Sequence, residues 1–148
     1  TTATTLGAIK LAGDSASTEY PINRLITQTQ TNGDVAVGYV AEFDKNTNVL
    51  RYYQPVGLST LSDYGYKLVD FKSEAVSIQG SGVVNPLQVD TGFNASSVND
   101  VNVGVSFVNG IAKPEIKKYS GDIIYIDNRN KVTRSSTQKE EIKIVIEF

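Results

Sequence analysis

The end of the chain carries the pattern that most constrains its fold. From residue 142 onward, every second position is a large apolar residue, and three of the four residues at the other positions from 141 are charged. Ile142, Ile144, Ile146 and Phe148 fall on one side, and Glu141, Lys143 and Glu147 fall on the other. A period of two is the pattern of a β-strand with one buried face and one face in water. Residues 123–126 form a second β-type run, and the polar connection between the runs is too irregular for a helix. The end of the chain therefore predicts a strand pair that belongs to a sheet.

A β-meander is predicted over residues 22–54. Residues 22–30 and 35–43 are strand-like, and Asn32-Gly33-Asp34 between them suits a tight hairpin turn because these residues tolerate positive φ. Residues 49–53 return after the polar turn 44–48. The apolar residues of the middle strand alternate and are expected on one face: Val35, Val37, Tyr39, Ala41 and Phe43.

The remaining segments give weaker signals of the same kind. Residues 6–11 and 73–78 are short strand candidates, and residues 101–108 alternate before a second hairpin signal at Asn109-Gly110. Residues 58–66 and 79–91 read as loops, and no helical stripe of useful length occurs. We therefore expect a single, mainly β domain over residues 1–148. An antiparallel β-sandwich or a partly open barrel with long loops fits this pattern.

Composition excludes several function classes. The chain has no His and no Cys, so Ser-His and Cys-His nucleophiles, disulfides and thiolate metal sites are impossible. A net charge of −2 provides no basic stripe, so nucleic acid is not an expected partner. No apolar run approaches the roughly 20 residues that span a bilayer, and Gly80-Ser81-Gly82 lacks the lysine and helix of a phosphate loop.

Carboxylates are the remaining candidates for chemistry. Asp122 and Asp127, like Glu140 and Glu141, are separated by an odd number of positions, so on one regular strand they point to opposite sides. A glycosidase needs two carboxylates that face each other, so we expect no enzyme and no catalytic residue. The carboxylate and amides at 44, 46 and 48 resemble the start of a calcium loop, but a hairpin explains the same residues and the loop's glycine and distal glutamate are missing. No cofactor or metal is expected.

Residues 119–148 resemble one known family. An aromatic residue followed by Ser-Gly-Asp, an apolar run, Asp-Asn-Arg and a closing Gln-x-Glu-Glu-Ile strand is similar to the carboxyl end of a baseplate wedge subunit of T-even-type contractile-tailed bacteriophages. The matching residues are Ser120, Gly121, Asp122, Ile124, Tyr125, Asp127, Asn128, Arg129, Gln138, Glu140, Glu141, Ile142 and Phe148. Asn130, Lys131 and Val132 stand where a Pro-containing turn is expected. Residues 1–118 resemble no family in this way.

The resemblance implies a structural virion protein of the tail baseplate, assembled in the host cytoplasm. Its implied partners are other baseplate or tail proteins, including further copies of itself. Members of the family are longer, and this chain contains no methionine even at position 1. We therefore expect the sequence to be the carboxyl-terminal part of a longer chain.

Tyrosines and arginines in polar segments are the candidate interaction residues. Tyrosine suits a protein interface, and arginine pairs with carboxylates. The candidates are Tyr64, Tyr66, Tyr119, Asp122, Arg129 and Arg134. Tyr39, Tyr52 and Tyr125 are expected to be half-buried strand residues with hydroxyls in water. The alternative function is a carbohydrate- or receptor-binding β-module on a virion or cell surface, which predicts neighbouring coplanar aromatic rings on an exposed face.

Overall fold

The computed structural model describes residues 4–55, 60–62 and 65–116, with the backbone alone for 60–62 and 65–67. These residues belong to a compact unit, Thr1–Lys118, and a second unit comprises Tyr119–Phe148. The prediction of a single domain therefore stays a prediction. The described strands are β1 (Gly7–Ala12), β2 (Leu25–Thr29), β3 (Val35–Asp44), β4 (Val49–Tyr53), β5 (Thr60–Ser62), β6 (Gly65–Lys67), β7 (Gln79–Gly80), β8 (Gln88–Val89), β9 (Ser97–Val98), β10 (Val101–Asn102) and β11 (Ile111–Ala112).

The main sheet is antiparallel and curves back toward itself. Its strand order is β11-β1-β4-β3-β2-β7, and β8 pairs with β1. An isolated bridge between Ser77 and Gln88 connects the segment before β7 to β8. Among the described residues, the two ends of the sheet meet only through this bridge and its neighbouring backbone hydrogen bonds, so the architecture is a partly open barrel. The predicted mainly β fold is confirmed, and the described residues contain no helix.

The predicted meander over residues 22–54 is confirmed as β2-β3-β4. Gly33 has φ +87°, and its amide donates to the carbonyl of Gln30 at 2.9 Å, which closes the β2–β3 turn. The β3–β4 turn ends at Asn48 with φ +52°. Asparagine tolerates this left-handed conformation better than most residues, so the turn chemistry visible in the sequence selects both hairpins.

The predicted common face of the apolar residues of β3 is confirmed for Val35, Val37 and Tyr39 and is wrong for Phe43. Val35, Val37 and Tyr39 point to the outside of the barrel, whereas the buried residues of β3 are those between them: Ala36, Gly38 and Val40. A bulge at Ala41, where the register shifts between Val40 and Glu42, then turns Phe43 toward the core. A bulge adds one residue to one strand and so reverses which side chains face inward beyond it.

Two apolar clusters lie on opposite sides of the sheet. The main core inside the barrel comprises Ile9, Leu11, Tyr20, Ile26, Ala36, Val40, Leu50, Tyr52, Phe71, Ile78, Val89 and Ile111. The second core lies outside, between the sheet and residues 93–107, and comprises Ala8, Val49, Val103, Phe107 and Ala112. Strand β1 is therefore covered on both faces, as its burial pattern requires. The outer face of β2 and β3 does not contribute to the second core.

Glutamine side chains attach an irregular segment to the barrel. Gln28 is fully buried; its amide nitrogen donates to the carbonyl of Lys72, and its oxygen accepts from the amide of Lys72, both at 2.8 Å. Gln30 donates to the carbonyl of Asp70 at 2.7 Å, and Gln54 donates to the carbonyl of Val69 at 2.8 Å. Side chains here satisfy backbone groups that strand pairing would otherwise satisfy. They hold residues 69–72 so that Phe71 enters the main core.

Tyr20 connects three segments through its hydroxyl. The hydroxyl donates to the carbonyl of Ile78 at 3.1 Å and accepts from the amide of Leu87 at 2.9 Å, while the ring packs edge-on against Phe43. Burial raises the pKa of Tyr20 to about 12, against a smaller opposing effect of the hydrogen bond with Leu87. Burial also raises the pKa of Tyr52, which is 4% exposed and not half-buried as expected.

We expect stability to fall steeply above pH 10 because of these phenols. Below the unfolded-state pKa of about 10 both states keep the proton. Between pH 10 and about 12 the folded state still holds the Tyr20 proton that the unfolded state has lost, so rising pH favours unfolding. Chemical denaturation from pH 8 to 12 measures this. At pH 8, Tyr20→Phe should reduce the free energy of unfolding by about 1–2 kcal/mol, because the backbone groups of Leu87 and Ile78 lose their hydrogen-bond partner. Above pH 10, the free energy of unfolding of this variant should fall less than that of the parent. If the free energy of unfolding falls with the same slope against pH in both proteins, Tyr20 is not the cause of the decline.

Other sequence predictions are corrected by the structure. The predicted strand over 101–108 is wrong beyond Asn102, because only Val101–Asn102 forms a strand and the residues after it follow an irregular path over the second core. The hairpin turn at Asn109-Gly110 is confirmed, with φ +51° and +79°. Residues 60–62 and 65–67 form a short strand pair within the predicted loop, whereas residues 73–78 contribute only a bridge.

Candidate interaction surfaces

The predicted interaction residues lie outside the described residues. This holds for Tyr64, Tyr119, Asp122, Arg129 and Arg134 and for the side chain of Tyr66. The carboxylates at 127, 140 and 141 and the closing strand 142–148 are also outside them. The surfaces below are therefore built from residues 4–116.

The segment that resembled a calcium loop forms the β3–β4 turn. The Asp44 carboxylate accepts from the amide of Asn46 at 2.9 Å and from the hydroxyl of Thr47 at 2.8 Å. These bonds, the one from Thr47 first, lower the pKa of Asp44. The amide of Asn48 donates to the carbonyl of Gly13. The carboxylate oxygens of Asp44, which a calcium ion would need, thus hold the turn together, and this favours the hairpin interpretation. Among the described residues, no group of three or more acidic side chains could hold a metal ion.

A cleft of about 140 Å³ lies where residues 101–103 meet the outer face of β3 and β4. The guanidinium of Arg51, which lines the cleft, donates to the carbonyl of Val103 at 2.6 Å and lies 3.5 Å from the carboxylate of Glu42. Small-molecule sites usually have volumes of about 300–1,000 Å³. The cleft is smaller than these sites, Arg51 pairs with Glu42, and the Asp44 carboxylate accepts hydrogen bonds within its own turn. Its geometry therefore suits a structural contact between the two layers.

Lys10 is buried on the second-core side of β1. Its ammonium donates to the carbonyl of Leu11 at 3.0 Å and lies 5.4 Å from the ring centroid of Phe93. Burial lowers the pKa of Lys10, and the nearby charge of Asp90 opposes this shift. The cation–π contact and the carbonyl bond give the amine a structural role under the layer formed by residues 93–107.

A small hairpin projects from that layer. Strands β9 and β10 pair only with each other among the described residues, and both turn residues, Asn99 and Asp100, have positive φ of +48° and +62°. Val101 on this outer hairpin (residues 97–102) is 54% exposed. The hairpin thus presents an exposed aliphatic side chain beside strand edges that have no further partner among the described residues.

A second surface lies on the outer face of β2, β3 and β4. The rings of Tyr39 and Tyr53, directly paired across β3 and β4, stack with centroids 5.6 Å apart and planes inclined by 29°. Leu25 pairs with Tyr39 from the other side, and Thr27 pairs with Val37. We call these five residues the tyrosine face. Tyr53 is 37% exposed, and its hydroxyl donates to the side-chain oxygen of Asn23 at 3.4 Å.

Sequence reasoning missed the tyrosine face for a specific reason. Tyr39 was expected to be half-buried, which is confirmed, but Tyr53 was not singled out beside Tyr52. Alternation along β4 shows that only one of two adjacent tyrosines can face the core. Which one does so depends on the register with β1, where Tyr52 lies against Gly7.

No family model, curated protein or solved structure matches the chain. In the part that the structure describes, no helix is long and apolar enough to cross a membrane.

Proposed function

We propose that the chain is a structural virion protein that acts by protein–protein assembly, as a wedge component of a contractile phage tail baseplate. The resemblance of residues 119–148 supports the baseplate assignment. The outer hairpin carries the argument for assembly, since Val101 lies at the surface and the edges of β9 and β10 pair with no other strand in residues 4–55, 60–62 and 65–116. Exposed strand edges and aliphatic side chains are features by which β proteins bind other chains.

The described interior agrees with a passive role. The buried glutamines and the buried hydroxyl of Tyr20 bind backbone groups of the chain itself. Catalytic groups, by contrast, are usually left free to contact a substrate in a cleft. The partners of such a module are other baseplate or tail proteins, including further copies of the chain, and its location is the virion.

The test is binding between the purified chain and purified tail proteins encoded beside its gene, measured by analytical ultracentrifugation and biolayer interferometry. We expect Val101→Asp to weaken the association at least about tenfold, or by about 1.4 kcal/mol, because a charge would replace a buried aliphatic contact. Val84→Asp is the matched control, because Val84 is 46% exposed but lies on a different segment.

Two results would contradict the proposal. One is a monomeric chain with no measurable affinity for any of these tail proteins. The other is an equal loss of affinity with both valine variants, which would show that the outer hairpin is not the contact surface.

A further inference from the structure

The tyrosine face has the properties of a binding surface for an uncharged ligand. Its five residues carry no charge. Arg51 and Glu42, which pair across the same two strands two positions from Tyr53, are bound to each other. Both rings are on the outside of the barrel, where Tyr53 is 37% exposed. Charged partners would find no complementary group among these side chains.

Its size argues against a second protein copy as the occupant. Three strands about 4.8 Å apart and five residues long at about 3.4 Å each span roughly 240 Å². Two copies packed face to face would bury roughly 500 Å², whereas a specific interface buries about 1,000 Å² or more. The face is therefore too small to hold a dimer by itself, but it is large enough for a short oligosaccharide.

The chemistry at its edge also fits a sugar. An aromatic ring presents an apolar face to the C–H groups of a pyranose, and neighbouring polar groups bind its hydroxyls. Here the hydroxyl of Tyr53 and the amide of Asn23 lie side by side at the rim of the stacked rings. Asn23 is exposed and has φ +60°, which places this amide beside the ring on the segment before β2. A hydroxyl can both donate and accept, and an amide nitrogen provides two donors.

We propose that the tyrosine face binds a neutral saccharide, with a sugar ring against the side of the Tyr53 ring that is not stacked on Tyr39 and with its hydroxyls on Asn23 and the Tyr53 hydroxyl. This activity is distinct from the assembly role, because none of the five residues of the tyrosine face belongs to the outer hairpin. A baseplate or surface module with such a face would contact glycans as well as proteins.

The experiment is a screen of the purified chain on an array of neutral and charged glycans, followed by titration with neutral oligosaccharides such as maltohexaose, cellohexaose and chitohexaose. Binding is followed by calorimetry and by tyrosine fluorescence, which is unobscured because the chain contains no tryptophan. We expect at least one neutral saccharide to bind. Tyr53→Ala should weaken that binding at least tenfold, whereas Tyr53→Phe, which keeps the ring, should weaken it only a few-fold.

Asn23→Gly removes the amide at a backbone conformation that glycine readily adopts, and it should also weaken binding several-fold. Val101→Asp, on the outer hairpin, should leave it unchanged. The proposal is overturned if no neutral saccharide binds, if only charged glycans bind, or if Tyr53→Ala leaves the affinity unchanged. It is also overturned if Tyr53→Ala abolishes self-association, since a protein would then occupy the face. Circular dichroism of each variant verifies the fold.

Discussion

Replacing Gly110 by alanine should destabilise the barrel strongly, and much more than the same replacement at Gly33. Gly110 has φ +79°, a conformation that is strained for an L-residue. An added Cβ would also clash with the backbone carbonyl of Asp90. A backbone atom cannot move aside as a flexible side chain does. The amide of Gly110 also donates to the carbonyl of Phe93 at 2.8 Å, so a shift of this turn disturbs the layer over the second core. We expect a loss of at least about 3 kcal/mol in the free energy of unfolding.

Gly33 provides a matched control for this prediction. It has a similar φ of +87°, but an added Cβ there would have no neighbour within 4 Å. Gly33→Ala should therefore cost only the conformational strain, about 1 kcal/mol. Urea denaturation of both variants separates strain from collision. If the two losses are equal, the close approach of Asp90 to Gly110 does not exist in solution.

Gln28→Leu should be the most damaging substitution among the buried polar residues. Leucine has a similar volume but cannot bind either backbone group of Lys72, both of which Gln28 satisfies at 2.8 Å. An unsatisfied buried backbone group costs about 1–3 kcal/mol. Because two groups lose their partner and residues 69–72 loosen, Phe71 loses its support in the main core. We expect a loss of about 2–4 kcal/mol.

Hydrogen exchange identifies the mechanism of this loss. In Gln28→Leu the amide of Lys72 should exchange much faster, whereas β1 amides should change only in line with global stability. Gln79→Leu, the same substitution at an exposed position of β7, should stay within about 0.5 kcal/mol of the parent. A stable Gln28→Leu protein with a protected Lys72 amide would show that these side-chain bonds do not hold the segment.

The irregular segments explain most of what sequence analysis missed. Residues 69–72 and 103–107 cover the two cores without forming strands. Residues 69–72 have no period that could reveal this role, and the alternation over 101–108 predicted a strand where the chain follows an irregular path. Their positions depend on side-chain bonds from distant residues, such as Gln28 to Lys72 and Arg51 to Val103. Such contacts join positions far apart in the chain, so no local pattern encodes them. The tyrosine face was missed for the same reason, since it exists only where Tyr39 and Tyr53 pair across two strands.

Local chemistry in the sequence determined the class of fold and the positions of its turns. Asn32-Gly33 and Asn109-Gly110 specify hairpins because Gly33, Asn109 and Gly110 adopt positive φ with little strain. Alternation in the segments beside these turns favours strands. Tertiary structure alone decided which face of each strand is buried. In β3 the more apolar face points outward, because Phe71 packs over Gly38 on the inner side and the bulge at Ala41 reverses the pattern before Phe43. Burial is a property of what packs against a strand, and the sequence of the strand does not contain that information.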